Sequence, residues 1–63
     1  MKIYKVTNTD TGEVRYFSNK SKACIYVGTN TYFLGYKIAK KELCRGHIVE
    51  YDDFPDVLNK YIE

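Results

Sequence analysis

Residues 18–43 read SNKSKACIYVGTNTYFLGYKIAKKEL, and this stretch decides the fold. The first-turn amides of a helix lack backbone acceptors, so Ser18 or Asn19, with a side-chain oxygen to offer, predicts a helix start at Lys20. Gly28 ends that helix after Val27, and Thr29 or Asn30 caps a second one running from Thr31 to about Leu43. Gly35 lies inside the second helix, at a cost of about 1 kcal/mol relative to alanine. Small residues at Ala23 and Cys24 let two helices cross closely, Gly28 makes the turn, and Leu34 and Ile38, one turn apart, anchor the second helix. That is the spacing of a helix-turn-helix, and its plainer reading is an αα-hairpin packed on a sheet.

The flanking segments predict the sheet. Lys2–Thr7 mixes β-branched and aromatic residues with lysines, and Asn8-Thr9-Asp10-Thr11-Gly12 is a cluster of turn formers. Glu13–Phe17 then makes the second arm of a hairpin, with Gly12 supplying a positive φ. On the other side, Cys44-Arg45-Gly46 breaks the second helix and His47–Tyr51 reads as a third short strand joining the hairpin. Asp52 and Asp53 are placed to cap a last helix beginning near Phe54-Pro55, where proline's missing N–H is not needed. Phe54, Val57, Leu58, Tyr61 and Ile62 form one apolar helical stripe in it. The expected architecture is a single α+β domain over residues 1–63 in the order ββααβα, a ββααβ body (1–51) followed by an acidic C-terminal helix (52–63).

Length and composition agree with one small folded unit. Sixty-three residues, 44% of them hydrophobic and 29% charged, leave room for one core and are too apolar for a disordered chain. The net charge of +2 conceals an uneven distribution. Residues 1–49 carry nine basic and three acidic side chains, and residues 50–63 carry one basic and five acidic. Cys24 and Cys44 are far apart in sequence with no second pair and no signal-peptide pattern ahead of them. They read as free thiols of a cytoplasmic protein, a single disulfide being the minor alternative. No apolar run reaches the length of a membrane span.

The basic residues Lys20, Lys22, Lys37, Lys40, Lys41 and Arg45 all fall in or beside the two-helix unit, as phosphate neutralisation requires, although a solvated helix surface has the same composition. Asn30, Thr31 and Tyr32 stand at the start of the second helix, where they reach base edges or phosphates or serve as ordinary caps. That helix carries two apolar stripes. Leu34 and Ile38 define one, and Tyr32, Tyr36, Ala39 and Leu43 define another on nearly the opposite side, so both cannot face one core. With Leu34 and Ile38 buried, the tyrosine stripe meets either an external partner or Phe54, Val57 and Leu58 of the last helix.

The run TNTDTGEVRYFSNKSKACIYVGTNTYFLGYKIAKKELCRGHIVEY, residues 7–51, resembles the nuclease-associated modular DNA-binding domains of homing endonucleases and small phage proteins. In that pattern a hairpin with a Thr-Gly-Glu turn and a Phe-Ser exit leads to a helix with a small-residue pair and a glycine turn. A second helix then precedes a Gly-aromatic-apolar strand. The sequence departs from it at Cys24, at Gly35 and at His47, where an aromatic residue is usual. The resemblance implies a helix-turn-helix whose second helix approaches DNA with the hairpin as support, and it leaves the acidic last segment unexplained.

Catalytic and metal-binding readings find little footing. His47 is the single histidine and sits in a predicted strand, Cys24, Cys44 and His47 lack zinc-ligand spacing, and no Gly-rich phosphate loop occurs. Asp52 and Asp53 have helix capping as their simple explanation. The expectation is therefore a non-enzymatic duplex-DNA-binding protein of phage or mobile-element type, without cofactor or metal. Its contacts are expected at Lys20, Lys22, Asn30, Thr31, Tyr32, Tyr36, Lys37, Lys40, Lys41 and Arg45. The rival expectation is an interaction module that binds a host protein through the tyrosine stripe or the acidic C-terminal helix. Stacking of single-stranded nucleic acid on Tyr4, Tyr16 or Phe17 is a third.

Overall fold

A computed structural model describes residues 1–63. The elements are β1 (Lys2–Asn8), β2 (Val14–Phe17), α1 (Lys20–Val27), α2 (Thr31–Lys40), β3 (His47–Asp53) and a C-terminal 3₁₀ helix (Asp56–Tyr61). The strands form one antiparallel sheet in the order β2-β1-β3, with Val6 opposite Arg15 on one side and Val49 on the other. This is the expected α+β arrangement.

Local chemistry explains the first half of the chain. The Asn8 side chain accepts from the amides of Asp10 and Thr11 (2.9 and 3.2 Å), an Asx turn, and Gly12 takes φ 79° before β2 begins. Asn19, not Ser18, caps α1 through the Lys22 amide, and Gly28 closes it in the left-handed conformation. Asn30 caps α2 through the Phe33 amide at 2.7 Å.

The core lies between the two helices and one face of the sheet. Ala23, Cys24 and Val27 of α1 and Leu34 of α2 are buried against Val6, Phe17 and Val49, with Cys44 closing one end. Both cysteines are free thiols within it, and burial pushes the Cys24 thiol above its ordinary value. Tyr26 ties α1 to the sheet edge: its hydroxyl donates to Glu13 (3.0 Å), and its ring lies 5.5 Å from both Phe17 and His47. His47 is thus a packing residue whose Nδ1 lies 2.9 Å from the Arg45 carbonyl oxygen.

The second half departs from expectation in three places. First, α2 stops at Lys40 instead of continuing to Leu43, because Lys41 enters the left-handed region (φ 57°) and its amide turns back to Ile38 and Lys37. Second, β3 runs to Asp53, not Tyr51. Asp52 and Asp53 pair with Ile3 and Lys2 of β1 and cap no helix. The Asp53 carboxylate meets the Met1 ammonium at 2.6 Å, which holds the carboxyl below the usual range and raises the ammonium's pKa.

Third, the last helix is a short 3₁₀ turn whose amides reach back three residues, Leu58 to Pro55 and Ile62 to Asn59. The chain leaves β3 beside β1 and must finish beyond β2, a crossing of about three strand spacings, roughly 14 Å. Six residues of 3₁₀ helix span about 12 Å where an α-helix spans about 9 Å. Phe54 accordingly packs on Tyr16, and Ile62 lies beside Tyr16 as a one-residue parallel bridge. The stripe is split: Phe54, Leu58 and Ile62 are half-buried, while Val57 and Tyr61 face solvent.

Candidate nucleic-acid interface

Two helices and a three-residue turn, Gly28-Thr29-Asn30, present one surface. From Ser18 to Lys41 the chain contains no acidic residue and five lysines. Leu34 is fully buried and Ile38 packs against the core, which turns the other stripe of α2 outward: Tyr32 is 85% exposed and Tyr36 49%. The C-terminal segment does not cover this stripe, because it crosses the opposite side of the sheet toward β2. Leu43, once α2 has ended, also stands exposed.

Close packing brings two of the expected cations onto the unit. An added Cβ at Gly35 would come within 2.6 Å of the Lys20 Nζ, so this ammonium from α1 lies directly on the backbone of α2. The mid-helix glycine that sequence reasoning records only as a cost is the residue that admits it. Gly28 receives Arg45 in the same way, with Nε at 3.4 Å from the position of an added Cβ, so the guanidinium rests on the interhelical turn. Arg45 reaches there from a tight hairpin in which Cys44 and His47 exchange both backbone hydrogen bonds (2.8 and 3.0 Å). Arg45 and Gly46 both hold positive φ (49° and 79°), a type I′ geometry.

Along α2, Lys40 lies over the Tyr36 ring at 5.8 Å and Lys37 over Phe33 at 5.2 Å. Lys37 also pairs with Glu42 at 3.1 Å, which offsets part of its charge. Lys41 is fully displayed at the helix end. Thr31 and Tyr32 stand exposed in the first turn, whereas the Asn30 side-chain oxygen is occupied as the cap and leaves only its amide nitrogen free.

Lys22 is set apart from the others. It lines a cleft between α1 and β2 with Arg15, Phe17, Ile25, Tyr26 and Glu63. There the Arg15 Nε donates to Glu63 at 2.7 Å and the guanidinium lies 4.3 Å from the centre of the Tyr26 ring. That hydrogen bond holds the Glu63 carboxyl below its ordinary value, with Lys22 adding a smaller attraction. Sequence reasoning missed three groups: the half-buried Arg15, and the exposed Ile25 (81%) and Phe33 (41%). Ile25 is the one apolar residue of α1 out of register with Ala23, Cys24 and Val27, and that offset was legible in the sequence.

The groups on this surface are cations, tyrosine rings and helix-start hydroxyls. Side chains of these types are able to neutralise anions and to stack on flat rings, and they include no nucleophile paired with a base. No group of histidine, cysteine or acidic side chains is arranged to hold a metal ion, and no helix is long and apolar enough to cross a membrane. Comparison with protein-family models, curated proteins and solved structures returned no match.

Proposed function

We propose that this chain binds duplex DNA through the α1–α2 unit, with α2 against the groove. The observation that carries the reading is the placement of charge: Lys20 and Arg45 lie against α2 and the interhelical turn, Lys40 and Lys41 are exposed at the end of α2, and neither helix carries an acidic residue. Phosphates are neutralised by such an arrangement, and affinity then depends steeply on salt. Thr31, Tyr32 and Tyr36 are the nearest side chains to an approaching groove, and Lys37 contributes once Glu42 releases it. The resemblance to modular DNA-binding domains of homing endonucleases and small phage proteins points the same way.

The test is binding of the purified chain to random duplex DNA, single-stranded DNA and heparin across a salt series. Duplex preference with a steep negative slope is expected, and absence of binding at low salt sinks the reading. Lys40→Ala should weaken binding to every duplex sequence and flatten the plot of log affinity against log salt by about one unit.

Exposure of Tyr32, Phe33, Tyr36 and Leu43 favours a second reading, a host-protein partner docked on α2. Tyr36→Ala separates the two: intact DNA affinity with loss of a captured protein partner favours the interaction module.

A further inference from the structure

The two edges of the sheet are treated differently. On the β2 edge the chain closes itself: the Glu63 amide donates to the Tyr16 carbonyl (2.8 Å) and the Ser18 amide donates to the Glu63 carbonyl (3.2 Å). The β3 edge has no such cover. Thr9 bonds to Gly46 (3.0 Å) at one end of β3 and Phe54 to Met1 (2.8 Å) at the other. In an antiparallel ladder these bonds assign the peptide groups of residues 46, 48, 50, 52 and 54 to β1 and those of 47, 49, 51 and 53 to the outer edge. Of the outer set, His47 is engaged by Cys44, and the Asp53 amide by its neighbour's carboxylate at 2.7 Å. Val49 and Tyr51 are left with both N–H and C=O pointing out of the sheet.

These groups open into a groove of about 390 Å³ lined by Ile38, Lys41 and Glu42 on the helix side and by residues 48–52 of β3. A free strand edge beside an apolar groove is the geometry for adding one extended strand. Side-chain alternation selects what is added. Val49 and Tyr51 face the helix side, where Val49 is in the core and Tyr51 stacks on Tyr4 at 4.4 Å, so Ile48, Glu50 and Asp52 face the other way. Glu50 and Asp52 are exposed and neither forms an ion pair.

A second copy is the wrong occupant. Antiparallel self-pairing through Val49 and Tyr51 sets Glu50 opposite Glu50 or opposite Asp52 of the other chain. Pairing Val49 with itself instead demands the His47 groups that the Cys44 hairpin already uses. Like charges directly opposite destabilise a strand pair, and the same acidic row repels phosphate. We infer that the β3 edge binds an extended basic segment of a partner protein, with backbone bonds to Val49 and Tyr51 and alternate Lys or Arg side chains over Glu50 and Asp52. The groove borders the lysine-bearing face at Lys41, but its backbone groups and its acidic row belong to β3, so the inference stands whether or not that face binds DNA.

The experiment titrates the ¹⁵N-labelled full chain with three blocked pentapeptides: Lys-Val-Lys-Val-Lys, Glu-Val-Glu-Val-Glu and Lys-Pro-Lys-Pro-Lys. The prolyl peptide keeps the charge and cannot pair as a strand. The valyl-lysine peptide is expected to shift the Val49 and Tyr51 amide signals and slow their hydrogen exchange, and the other two are not. Glu50→Lys combined with Asp52→Lys, both at exposed positions, should weaken that peptide at least about tenfold and admit the glutamate peptide. Equal effects from the prolyl peptide, shifts centred elsewhere, or no shift at millimolar peptide overturn the inference. So does concentration-dependent protection of Val49 and Tyr51 without peptide, which identifies a second copy.

Discussion

Lys41 adopts the left-handed conformation (φ 57°) at the end of α2, where glycine is the residue most often found. An L-residue there costs about 1–2 kcal/mol, and glycine gives back part of that through its freer unfolded chain. Lys41→Gly should therefore raise stability by roughly 0.5 kcal/mol, read as a higher denaturant midpoint, while lowering DNA affinity. A variant that binds as well as the parent removes Lys41 from the phosphate-binding set. The trade is expected where a strained position carries a functional charge. Gly35 presents the converse case. Gly35→Ala gains about 1 kcal/mol of helix propensity but displaces the Lys20 ammonium, so affinity should fall as stability rises or holds. The presence of this glycine was plain in the sequence. Its purpose was not, because the residue that fills the space comes from another helix.

At the scale of elements, α2 is held by little. Leu34 is its one fully buried side chain, with Ile38 beside it. Leu34→Ala should cost about 2–5 kcal/mol, a large part of the roughly 3–9 kcal/mol available to a chain of 63 residues. Loss of the cooperative thermal transition is the expected readout, and a variant melting within a few degrees of the parent would show that α2 is anchored elsewhere. Helix starts and the first hairpin were legible because their determinants are local: Asn8, Gly12, Asn19, Gly28 and Asn30 each act on backbone within four residues. Helix ends were less so. The apolar spacing of Leu43 continued past the point where Lys41 turned the chain, since Cys44 had to reach the core and pair with His47.

Across the whole molecule, the two ends of the chain are tied to the sheet by ion pairs. Asp53 and Glu63 have lowered carboxyl pKa values in the folded state, so the stability they lend is complete above their ordinary values of 3.8 and 4.5. It is lost as pH falls through the lower, folded-state values. The Met1 ammonium behaves oppositely: its pKa is raised, so its contribution is complete below 8.0 and is lost as pH rises through the folded-state value. Melting temperature should thus form a plateau between about pH 5 and 8 that declines on both sides. Arg15→Met should make the acid limb shallower, leaving the part due to Asp53, and leave the alkaline limb in place. An acid limb unchanged in Arg15→Met would mean that the Glu63 contact does not hold the tail on β2.

What this sequence determined alone is whatever acts within a turn or a helix: the Asx and glycine turns, the two asparagine caps, the burial of Leu34 and the gathering of lysines between Lys20 and Arg45. The bounds of α1 and the start of α2 follow from these. Only tertiary structure decided where Asp52 and Asp53 go, because pairing with β1 competes with helix capping and a seven-residue ladder satisfies more backbone groups. It alone drew the last six helical residues into a 3₁₀ turn that reaches the β2 edge, displayed the tyrosines of α2, and left β3 open. The pairing of Asp52 and Asp53 with β1 and the docking of Ile62 beside Tyr16 join residues more than about 40 positions apart, and spacing along the chain carries no record of such meetings.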